Sequence, residues 1–373
     1  MDAPNSKPPL RITFVIHALH GGGAERVTAA MANHWAAAGH QVTVITLDSL
    51  GSDIFNLSTD VRRVALGVMG HSLNPLQAIW RNLLRIGKLR DAIRESHPDV
   101  VISFTDKTNI LTLLATKRLH IPTVVAERID PRRHPLGWIW ERLRRRTYRR
   151  AAALVVQTEA AKTYFRGMLA EQDVHVIPNF VDRVDLPPPK RDSKEEKKLI
   201  AVGRLSPQKG FDLLIEAFSR IADQHPDWSL EIIGEGPDRQ QLEQLSREKS
   251  LDRRISFIGW VQTPMERLQH ADAFVLSSRY EGFPNALLEA MACGLPVISF
   301  ACDSGPAEII RHEIDGLLVP AEDIDQLAGA MSRVMSDDSL RARLSSQAIE
   351  VSDRFSRDLY FQRWESLLRH VLS

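Results

Sequence analysis

Short apolar runs alternate along the chain with longer stretches in which apolar positions recur every three or four residues. The short runs predict strands, and the periodic stretches between them predict helices. Six runs in the first half are predicted as strands: RITFVI (11–16), QVTVIT (41–46), DVVISF (99–104), PTVVAE (122–127), ALVVQT (153–158) and VHVIPN (174–179). Most of them are too apolar to keep one face in water, which indicates a parallel sheet covered by helices on both faces.

A polar segment, RVDLPPPKRDSKEEKK (183–198), interrupts this alternation with three prolines and a run of charges, a composition typical of a linker. The alternation then restarts with KLIAVGRL, LEIIGEG, ISFIGWV, AFVLSS, LPVISF and DGLLVP. We therefore predict an α/β protein of two doubly wound Rossmann-like domains that face each other across a cleft. The first covers 1–182 and the second 199–355, and a C-terminal helix over 356–373 could pack back on the first.

Composition supports a folded, reduced protein. The chain has 373 residues, of which 43% are hydrophobic and 25% are charged, with a formal net charge of +1. These are globular values that exclude a largely disordered chain. Cys293 and Cys302 lack the spacing of a metal site, and two small core residues are the simplest interpretation. The N-terminal MDAPNSKPPL has no apolar signal core, and no run approaches eighteen apolar residues, so we expect a soluble protein or one attached to a membrane from outside.

The stretch VIHALHGGGAERV (15–27) runs from a strand through three glycines into a helix. This order is typical of an anion held by peptide N–H groups and the helix dipole. The stretch lacks the Lys-Ser/Thr ending of a P-loop and does not match G-x-G-x-x-G. A tight turn that needs positive φ is therefore an alternative explanation.

Charged residues and glycines gather where strands of the second domain end. Arg204 and Lys209 follow a strand in VGRLSPQKG and could clamp a pyrophosphate. The glycines of IIGEGPDR permit the backbone to approach a ligand. In SSRYEGFPNALLEAMACGLPVIS, Glu281 lies in a loop and Glu289 about one turn into a helix, so both carboxylates could face one ligand. Each feature alone fits a solvated loop or a helix-dipole partner, but together they suit the recognition of a diphosphate and of hydroxyl groups.

These stretches resemble a known family. GRLSPQKG followed by EGFPNALLEAMACGLPVIS, with GGGAER near the N-terminus and VIPNFVD (176–182) before the linker, is similar to the retaining GT-B glycosyltransferases of family four. The resemblance covers nearly the whole chain. It implies the transfer of a sugar from a nucleotide-sugar donor, which is bound mainly by the C-terminal domain.

The resemblance also implies a role for each motif residue. Arg204 and Lys209 would hold the diphosphate and stabilise the departing charge, Glu281 would hold hydroxyls of the donor sugar, and Glu289 would bind the ribose. Further donor contacts would come from backbone at Gly22, Gly23, Val261, Phe283, Pro284, Asn285 and Ala286. Many relatives have a histidine after the strand that corresponds to PTVVAE, where this chain has Arg128. Arginine does not deprotonate at working pH, so Arg128 cannot be a base and either contacts donor or acceptor or pairs with Asp130.

Two further segments bear on the acceptor. RRHPLGWIWERLRRRTYRR (132–150) holds eight arginines and one acidic residue, and LQAIWRNLLRIGKLR (76–90) puts Leu76, Ile79, Trp80, Leu83 and Leu84 on one helical face. Basic residues beside interfacial aromatics suit an anionic membrane surface. The alternative is that both helices only cover the sheet. No recognition motif accompanies the basic run, so nucleic acid is not an expected partner.

We therefore predict a retaining, metal-independent glycosyltransferase without a cofactor. It would move a hexose, an N-acetylhexosamine or galactose, from a UDP-sugar to a lipid-linked saccharide in bacterial surface glycan and lipopolysaccharide assembly. It would lie in the cytoplasm, peripherally on the inner face of the cytoplasmic membrane. The alternatives are a same-fold transferase with a small soluble acceptor, a sugar-nucleotide epimerase and a non-catalytic sugar-nucleotide-binding subunit.

Overall fold

A computed structural model describes residues 8–70, 74–169, 173–184 and 196–373. The chain divides into two compact units: the first holds Met1–Ile177 with Arg363–Ser373, and the second holds Pro178–Gln362. Most of the predicted linker, 185–195, lies outside the described residues. The segment just before it belongs to the second unit, where the Val181 N–H donates to the Phe355 carbonyl over 2.9 Å.

Each unit contains one sheet in which every pair of neighbouring strands is parallel, as the apolar runs predict. The strands of the first unit are β1 Arg11–Ile16, β2 Gln41–Thr46, β3 Val61–Ala65, β4 Val100–Phe104, β5 Thr123–Ala126, β6 Ala153–Val156 and β7 Val174–Val176. Those of the second are β8 Lys197–Val202, β9 Trp228–Ile233, β10 Ile255–Gly259, β11 Ala273–Leu276, β12 Val297–Ala301 and β13 Gly316–Pro320.

Helices connect these strands in both units. The first unit contains α1 Gly23–Ala37, α2 Pro75–Glu95, α3 Asp106–Thr116, α4 Trp138–Thr147 and α5 Glu159–Phe165. The second contains α6 Phe211–Ser219, α7 Arg239–Glu248, α8 Met265–Gln269, α9 Asn285–Ala292, α10 Pro306–Ile309, α11 Ile324–Ser336, α12 Asp338–Ala348 and α13 Val351–Arg354. The last helix, α14 Arg357–Val371, belongs to the first unit from Arg363 onward. None of the described helices combines the length and the apolar composition that crossing a membrane requires.

Both sheets are doubly wound, which confirms the predicted fold class. The strand orders are β3-β2-β1-β4-β5-β6-β7 and β10-β9-β8-β11-β12-β13. In each sheet the chain starts at a central strand, builds outward on one side and then crosses to the other. The direction changes between β1 and β4 and between β8 and β11, and ligands of such sheets bind at this switch point.

The helices bury both faces of each sheet. In the first unit α2 to α5 cover one face, with Leu89 and Leu111 packed on Val15. On the other face Phe14 stacks on Trp35 of α1 with ring centroids 5.6 Å apart, and Trp35 meets Trp364 edge-on at 6.3 Å. In the second unit α6 and α11 pack on one face, and α9 packs on the other.

One strand, β3, is not predicted by the pattern of apolar runs. Its sequence VRRVA places two arginines between valines, and only its first residue, Val61, is buried. It lies at one edge of the first sheet, so one side of the strand has no neighbouring strand. An edge position therefore tolerates charged residues that an internal parallel strand would exclude.

Both cysteines are free thiols inside the second unit, as their spacing suggested. Cys302 is buried and Cys293 half-buried. Burial raises the pKa of each thiol to about 12. Neither thiol is therefore ionised, and hence reactive, near neutral pH.

Candidate functional site

The candidate site is built on the switch point of the second sheet. β8 and β11 are neighbours, and the helices that follow them, α6 and α9, pack on opposite faces. The loops after both strands therefore diverge and leave room at the carboxyl edge. Arg204 and Lys209 lie in the loop after β8, and Glu281 lies in the loop after β11.

Lys209 and Glu281 form an ion pair across these two loops. The Lys209 ammonium Nζ lies 2.6 Å from Glu281 Oε1, and Glu281 is only 5% exposed. The Ser278 hydroxyl donates to the same carboxylate oxygen over 2.6 Å. Among the residues that the structure describes, none donates a hydrogen bond to Oε2, so this oxygen can accept from a ligand hydroxyl.

Backbone contacts fix the spacing of the two loops. The Arg279 N–H donates to the Gln208 carbonyl over 2.8 Å, and Gln208 Nε2 donates to the Tyr280 carbonyl over 3.1 Å. The Ser277 hydroxyl donates to the Lys209 carbonyl over 2.9 Å. These hydrogen bonds form a frame that holds the two loops at a fixed spacing. The frame does not depend on the attraction between the charges of Lys209 and Glu281. Sequence reasoning missed Ser278 and Gln208, although each is next to or within a quoted motif.

Arg279 anchors the same frame from outside. Its guanidinium donates to both carboxylate oxygens of Asp212, over 2.8 and 2.6 Å, and to Glu322 over 3.1 Å. Burial alone would raise the pKa of Asp212, but the hydrogen bonds and charge of Arg279 lower it below its usual value. Asp212 is in the first turn of α6, so this pair ties the loop after β11 to the helix after β8.

Arg204 is exposed, and its guanidinium has no hydrogen bond or ion pair among the described residues. Its backbone is fixed because Leu205 is buried beside it. The Leu205 N–H donates to the Glu235 carbonyl over 2.9 Å, and the Asp238 N–H donates to the Leu205 carbonyl over 3.1 Å. Arg204 therefore presents an available charge from an anchored loop.

The loop after β9 requires a glycine at position 234. A Cβ at this position would lie 1.9 Å from the Gly203 carbonyl oxygen, and the residue has a φ of +145°. The close contact is between the backbones of two loops of the protein. The glycine is thus needed for the packing of the Arg204 loop, and the ligand approach that the sequence suggested stays a prediction.

Glu289 and the start of α9 lie beside this frame. Glu289 is buried, one turn after the first helical residue, Asn285. Phe283 is buried and meets the Phe355 ring edge-on, with centroids 5.3 Å apart. Asn179 Nδ2 donates to Asn285 Oδ1 over 2.7 Å, so a residue of the VIPNFVD motif orients the start of this helix. Pro284 is buried before α9 and Ala286 is half-buried in its first turn.

Val261 follows β10, which is two strands away from β8 and so about 10 Å from it at the same edge. Its side chain packs partly against the core of the second unit. Any ligand contact at this position would therefore involve its backbone, as the resemblance implies. That contact stays a prediction.

In the first unit, Gly22 makes room for a side chain of the same unit. Gly22 precedes α1, and a Cβ on it would lie 2.2 Å from Glu25 Oε2. The other oxygen of the Glu25 carboxylate lies 3.2 Å from His17 Nε2, just after β1. Sequence reasoning missed this His17–Glu25 pair. The donor contacts expected of Gly22 and of Gly23, where α1 begins, stay predictions.

Arg128 lies just after β5 and is largely buried, with its guanidinium 4.9 Å from the centre of the Phe104 ring. Asp130, the alternative partner considered for it, accepts hydrogen bonds from the Arg132 guanidinium over 3.0 and 2.8 Å. The neighbour of Arg128, Glu127, is buried and accepts a hydrogen bond from the Tyr148 hydroxyl. Burial, assisted by the negative charge of Asp106, raises the pKa of Glu127 to about 7.

The arginine-rich segment 132–150 is partly interior, which corrects the interpretation of it as one surface. Arg144 is 2% exposed and donates to Glu141 and to the Tyr164 hydroxyl, over 2.5 and 2.9 Å. Tyr148 is fully buried. Arg142, Arg145, Arg146, Arg149 and Arg150 are exposed. Arg132 and Arg133, at the start of the segment, are exposed as well, so seven of its eight arginines lie on the surface and Arg144 does not.

No group of three or more His, Cys, Asp and Glu side chains in the described parts of the chain is arranged to hold a metal ion. The charges that the site offers a ligand are those of Arg204, Lys209 and the two glutamates. Such a set can bind a diphosphate through its cations and sugar hydroxyls through its carboxylates.

Two family models match the chain. The one described as "Glycosyltransferase Family 4" matches residues 21–184, and the one described as "Glycosyl transferases group 1" matches residues 183–351. The lipopolysaccharide core biosynthesis glycosyltransferase LpsD of Rhizobium meliloti is 30% identical over 274 residues, which are 72% of this chain and 74% of that protein.

A second relative is a Campylobacter jejuni protein named as an alpha-1,4-N-acetyl-D-galactosaminyltransferase acting on a diphosphoundecaprenol-linked saccharide. It is 28% identical over 366 residues, or 97% of this chain and 99% of that protein. Among solved structures, Anabaena Alr3699/HepE in complex with UDP and glucose superposes with a TM-score of 0.79. The two chains are 18% identical, and the superposition covers 96% of this chain and 99% of the Anabaena chain. The comparison therefore shows that they share a fold.

The buried carboxyl of Glu127 should make stability depend on pH. A carboxyl pKa raised from 4.5 to about 7 means that the folded protein binds this proton more tightly than the unfolded chain. Its contribution is therefore present at pH 5 and lost by pH 8, a change of about 2–3 kcal/mol. Glu127→Gln, which still accepts from Tyr148, should lose less stability than wild type between these two pH values in urea unfolding.

Glu95→Gln is the matched control, because Glu95 is exposed in the same unit. It should keep the pH dependence of the wild type. If Glu127→Gln also keeps it, the carboxyl of Glu127 does not titrate near neutral pH.

Proposed function

Because the chain belongs to the family-four glycosyltransferases of the GT-B fold, we propose that it transfers a hexose, with retention of configuration, from a UDP-sugar to a lipid-linked saccharide. The observation that carries this proposal is the Lys209–Glu281 ion pair at the switch point of the second sheet. The Lys209 ammonium, which would face the diphosphate, and the Glu281 carboxylate, which would face the sugar, lie 2.6 Å apart there.

The ion pair can bind both parts of a nucleotide sugar at once. A lysine ammonium has three N–H donors, and one of them points to Glu281 Oε1. The other two can donate to phosphate oxygens, while Glu281 Oε2 accepts from sugar hydroxyls. The distance between the leaving phosphate and the sugar ring is then set by a preformed contact, which lowers the cost of orienting the donor.

Arg204 completes the electrostatic part of the reaction. As the bond between the anomeric carbon and the diphosphate breaks, negative charge grows on the leaving oxygen. Arg204 and Lys209 offset that charge without rearrangement, since their loop is already anchored. The acceptor hydroxyl attacks from the same face and gives its proton to the leaving diphosphate oxygen, so no protein base is needed.

The other donor contacts follow from the elements around the pair. Glu289 on α9 binds the ribose, and the first N–H groups of α9, around Asn285 and Ala286, bind phosphate and sugar. Backbone at Val261 meets the base. The fold relative that holds UDP and glucose supports a uridine donor.

The names of the sequence relatives support the acceptor. One is named for a diphosphoundecaprenol-linked saccharide and the other for the lipopolysaccharide core. We therefore propose an N-acetylhexosamine or galactose as the transferred sugar and assembly of a bacterial surface glycan as the process. A lipid-linked acceptor requires the enzyme to work at a membrane, which we propose to be the inner face of the cytoplasmic membrane.

The cations should be indispensable for transfer. Lys209→Ala and Arg204→Ala should each lower kcat/KM for the UDP-sugar at least about 100-fold, because each removes a contact that is strongest as the leaving charge develops. Incubation with a panel of labelled nucleotide sugars and membrane extract first identifies the donor, and the variants are then compared with it.

Arg220→Ala is the matched control. Arg220 is paired with Asp325 on the surface of the same unit and should be replaceable without loss of activity. Thermal unfolding shows whether each variant is folded. Wild-type turnover in a folded Lys209→Ala protein contradicts the diphosphate role, and UDP-sugar binding without transfer in the wild type indicates an epimerase or a binding subunit.

Binding measurements should distinguish the roles of the two glutamates. Glu289→Gln should weaken both UDP and UDP-sugar about tenfold, since it loses a charged hydrogen bond to the ribose. Glu281→Gln should slow UDP-sugar turnover but leave UDP affinity unchanged or raised, because Lys209 loses its partner. Calorimetry with UDP alone decides between them. Equal losses of UDP affinity would refute this division of roles.

Transfer should be independent of divalent metal ions. Arg204 and Lys209 supply the positive charge that a bound cation supplies in other transferases. Turnover should be the same before and after dialysis against EDTA. Activity that EDTA abolishes and magnesium or manganese restores would show that these two side chains are not sufficient.

A further inference from the structure

The first half of α2 exposes a row of large apolar side chains. Leu76, Ile79, Trp80 and Leu83 are between 59% and 80% exposed, and their spacing puts them on one face of the helix. We call these four residues the apolar ridge. The second half of the same helix is ordinary, because Ile86, Leu89 and Ile93 pack into the core of the first unit.

The helix that carries the ridge is well fixed. Its N-cap Asn74 accepts a hydrogen bond from the Gln77 N–H over 2.8 Å. Arg85 donates to the Val68 and Gly70 carbonyls, each over 3.1 Å. The ridge is therefore held out into solvent on a formed helix, at a cost in exposed apolar surface that folding alone does not explain.

A second apolar group is presented on the same layer. Trp138 and Ile139, in the first turn of α4, are 77% and 54% exposed. α2 packs on α3 and α3 packs on α4. Crossover helices of a parallel sheet begin at its carboxyl edge, so both exposed groups lie toward the edge where ligands of the first sheet would bind.

This layer is also cationic. Residues 75–90 hold Arg81, Arg85, Lys88 and Arg90 and no acidic residue, although the whole chain has a net charge of only +1. On α4 the exposed arginines are Arg142, Arg145 and Arg146. The single acidic residue of α4, Glu141, is bound by Arg144 and Arg145.

We propose that the apolar ridge inserts into an anionic lipid bilayer and that the exposed arginines of α4 bind its phosphate groups. This inference rests on the proposed function, because a lipid-linked acceptor has to be met at a membrane. Leucine, isoleucine and tryptophan on one face with cations beside them match the boundary between acyl chains and headgroups.

A second copy of the chain fits this surface less well. A symmetric dimer places the same patch on both partners, so arginines would face arginines. A bilayer with acidic lipid offers the opposite charge and an apolar interior together. The attraction then has two separable parts, one that salt weakens and one that salt leaves in place.

The test uses the full-length protein and vesicles of phosphatidylcholine with and without phosphatidylglycerol. Wild type should co-sediment with the acidic vesicles, and salt should weaken that binding. Replacing Leu76, Trp80 and Leu83 by serine should lower the partition coefficient about tenfold or more at every salt concentration. Replacing Arg142, Arg145 and Arg146 by glutamine should lower it at low salt only.

Ile349→Ser is the matched control, since Ile349 is an exposed apolar residue of the second unit and should not matter. Brominated lipid should quench wild-type tryptophan fluorescence, and Trp80→Phe should lose part of that quenching. Undiminished binding by a folded ridge variant overturns the proposal, as does equal binding of wild type to neutral and acidic vesicles. A wild-type dimer that the ridge variant dissociates assigns the ridge to a second copy and overturns it too.

Transfer to a short water-soluble acceptor separates this proposal from the proposed function. The ridge variant should keep wild-type turnover with the soluble acceptor and lose turnover with a lipid-linked one in vesicles. Loss of both in a folded variant overturns the membrane role. Absence of transfer in wild type overturns the proposed function, while vesicle binding is still measured independently.

Discussion

The contact between Lys209 and Glu281 is the constraint on which the candidate site depends. It joins the loops that follow two neighbouring strands, 2.6 Å apart at a carboxylate that is almost completely buried. A buried ion pair stabilises a fold only when its geometry and its other hydrogen bonds repay the desolvation of both charges. Here the Ser278 hydroxyl supplies the second bond, and backbone contacts between the loops set the spacing. The pair is therefore better explained by what it presents to a ligand than by stability.

The first unit uses its arginines in two ways. Arg144 is interior, beside Glu127 and Tyr148, where burial keeps the pKa of the Glu127 carboxyl near neutrality and that of the Tyr148 hydroxyl well above its usual value. The arginines on the outer side of the same helix are exposed beside an apolar surface. A single basic stretch thus contributes one residue to the interior and several to a cationic surface. Which arginine is interior and which is exposed can be told only once the position of the helix against the core is known.

Much of the fold could be predicted because buried parallel strands appear in the sequence as uninterrupted apolar runs. β3 was not predicted, because its sequence VRRVA, at the edge of its sheet, carries charged residues. Glu281 and Lys209 were recognisable from their motifs, but their contact was not, since 72 residues separate them. The reason for a glycine at position 22 could not be predicted either, because it depends on how the Glu25 side chain folds back towards Gly22. Arg144 and Tyr148 had a visible signal, since 140, 144 and 148 share a helical spacing, but the density of arginines around them obscured it.

A structure of the protein with bound UDP tests the central claim most directly. We expect the terminal phosphate of UDP to lie within hydrogen-bond distance of both Lys209 Nζ and the Arg204 guanidinium, and the ribose hydroxyls to contact the Glu289 carboxylate. Glu281 should remain beside Lys209 with Oε2 directed away from the nucleotide. A phosphate bound elsewhere, with Lys209 and Arg204 out of its reach, would contradict the proposed diphosphate site.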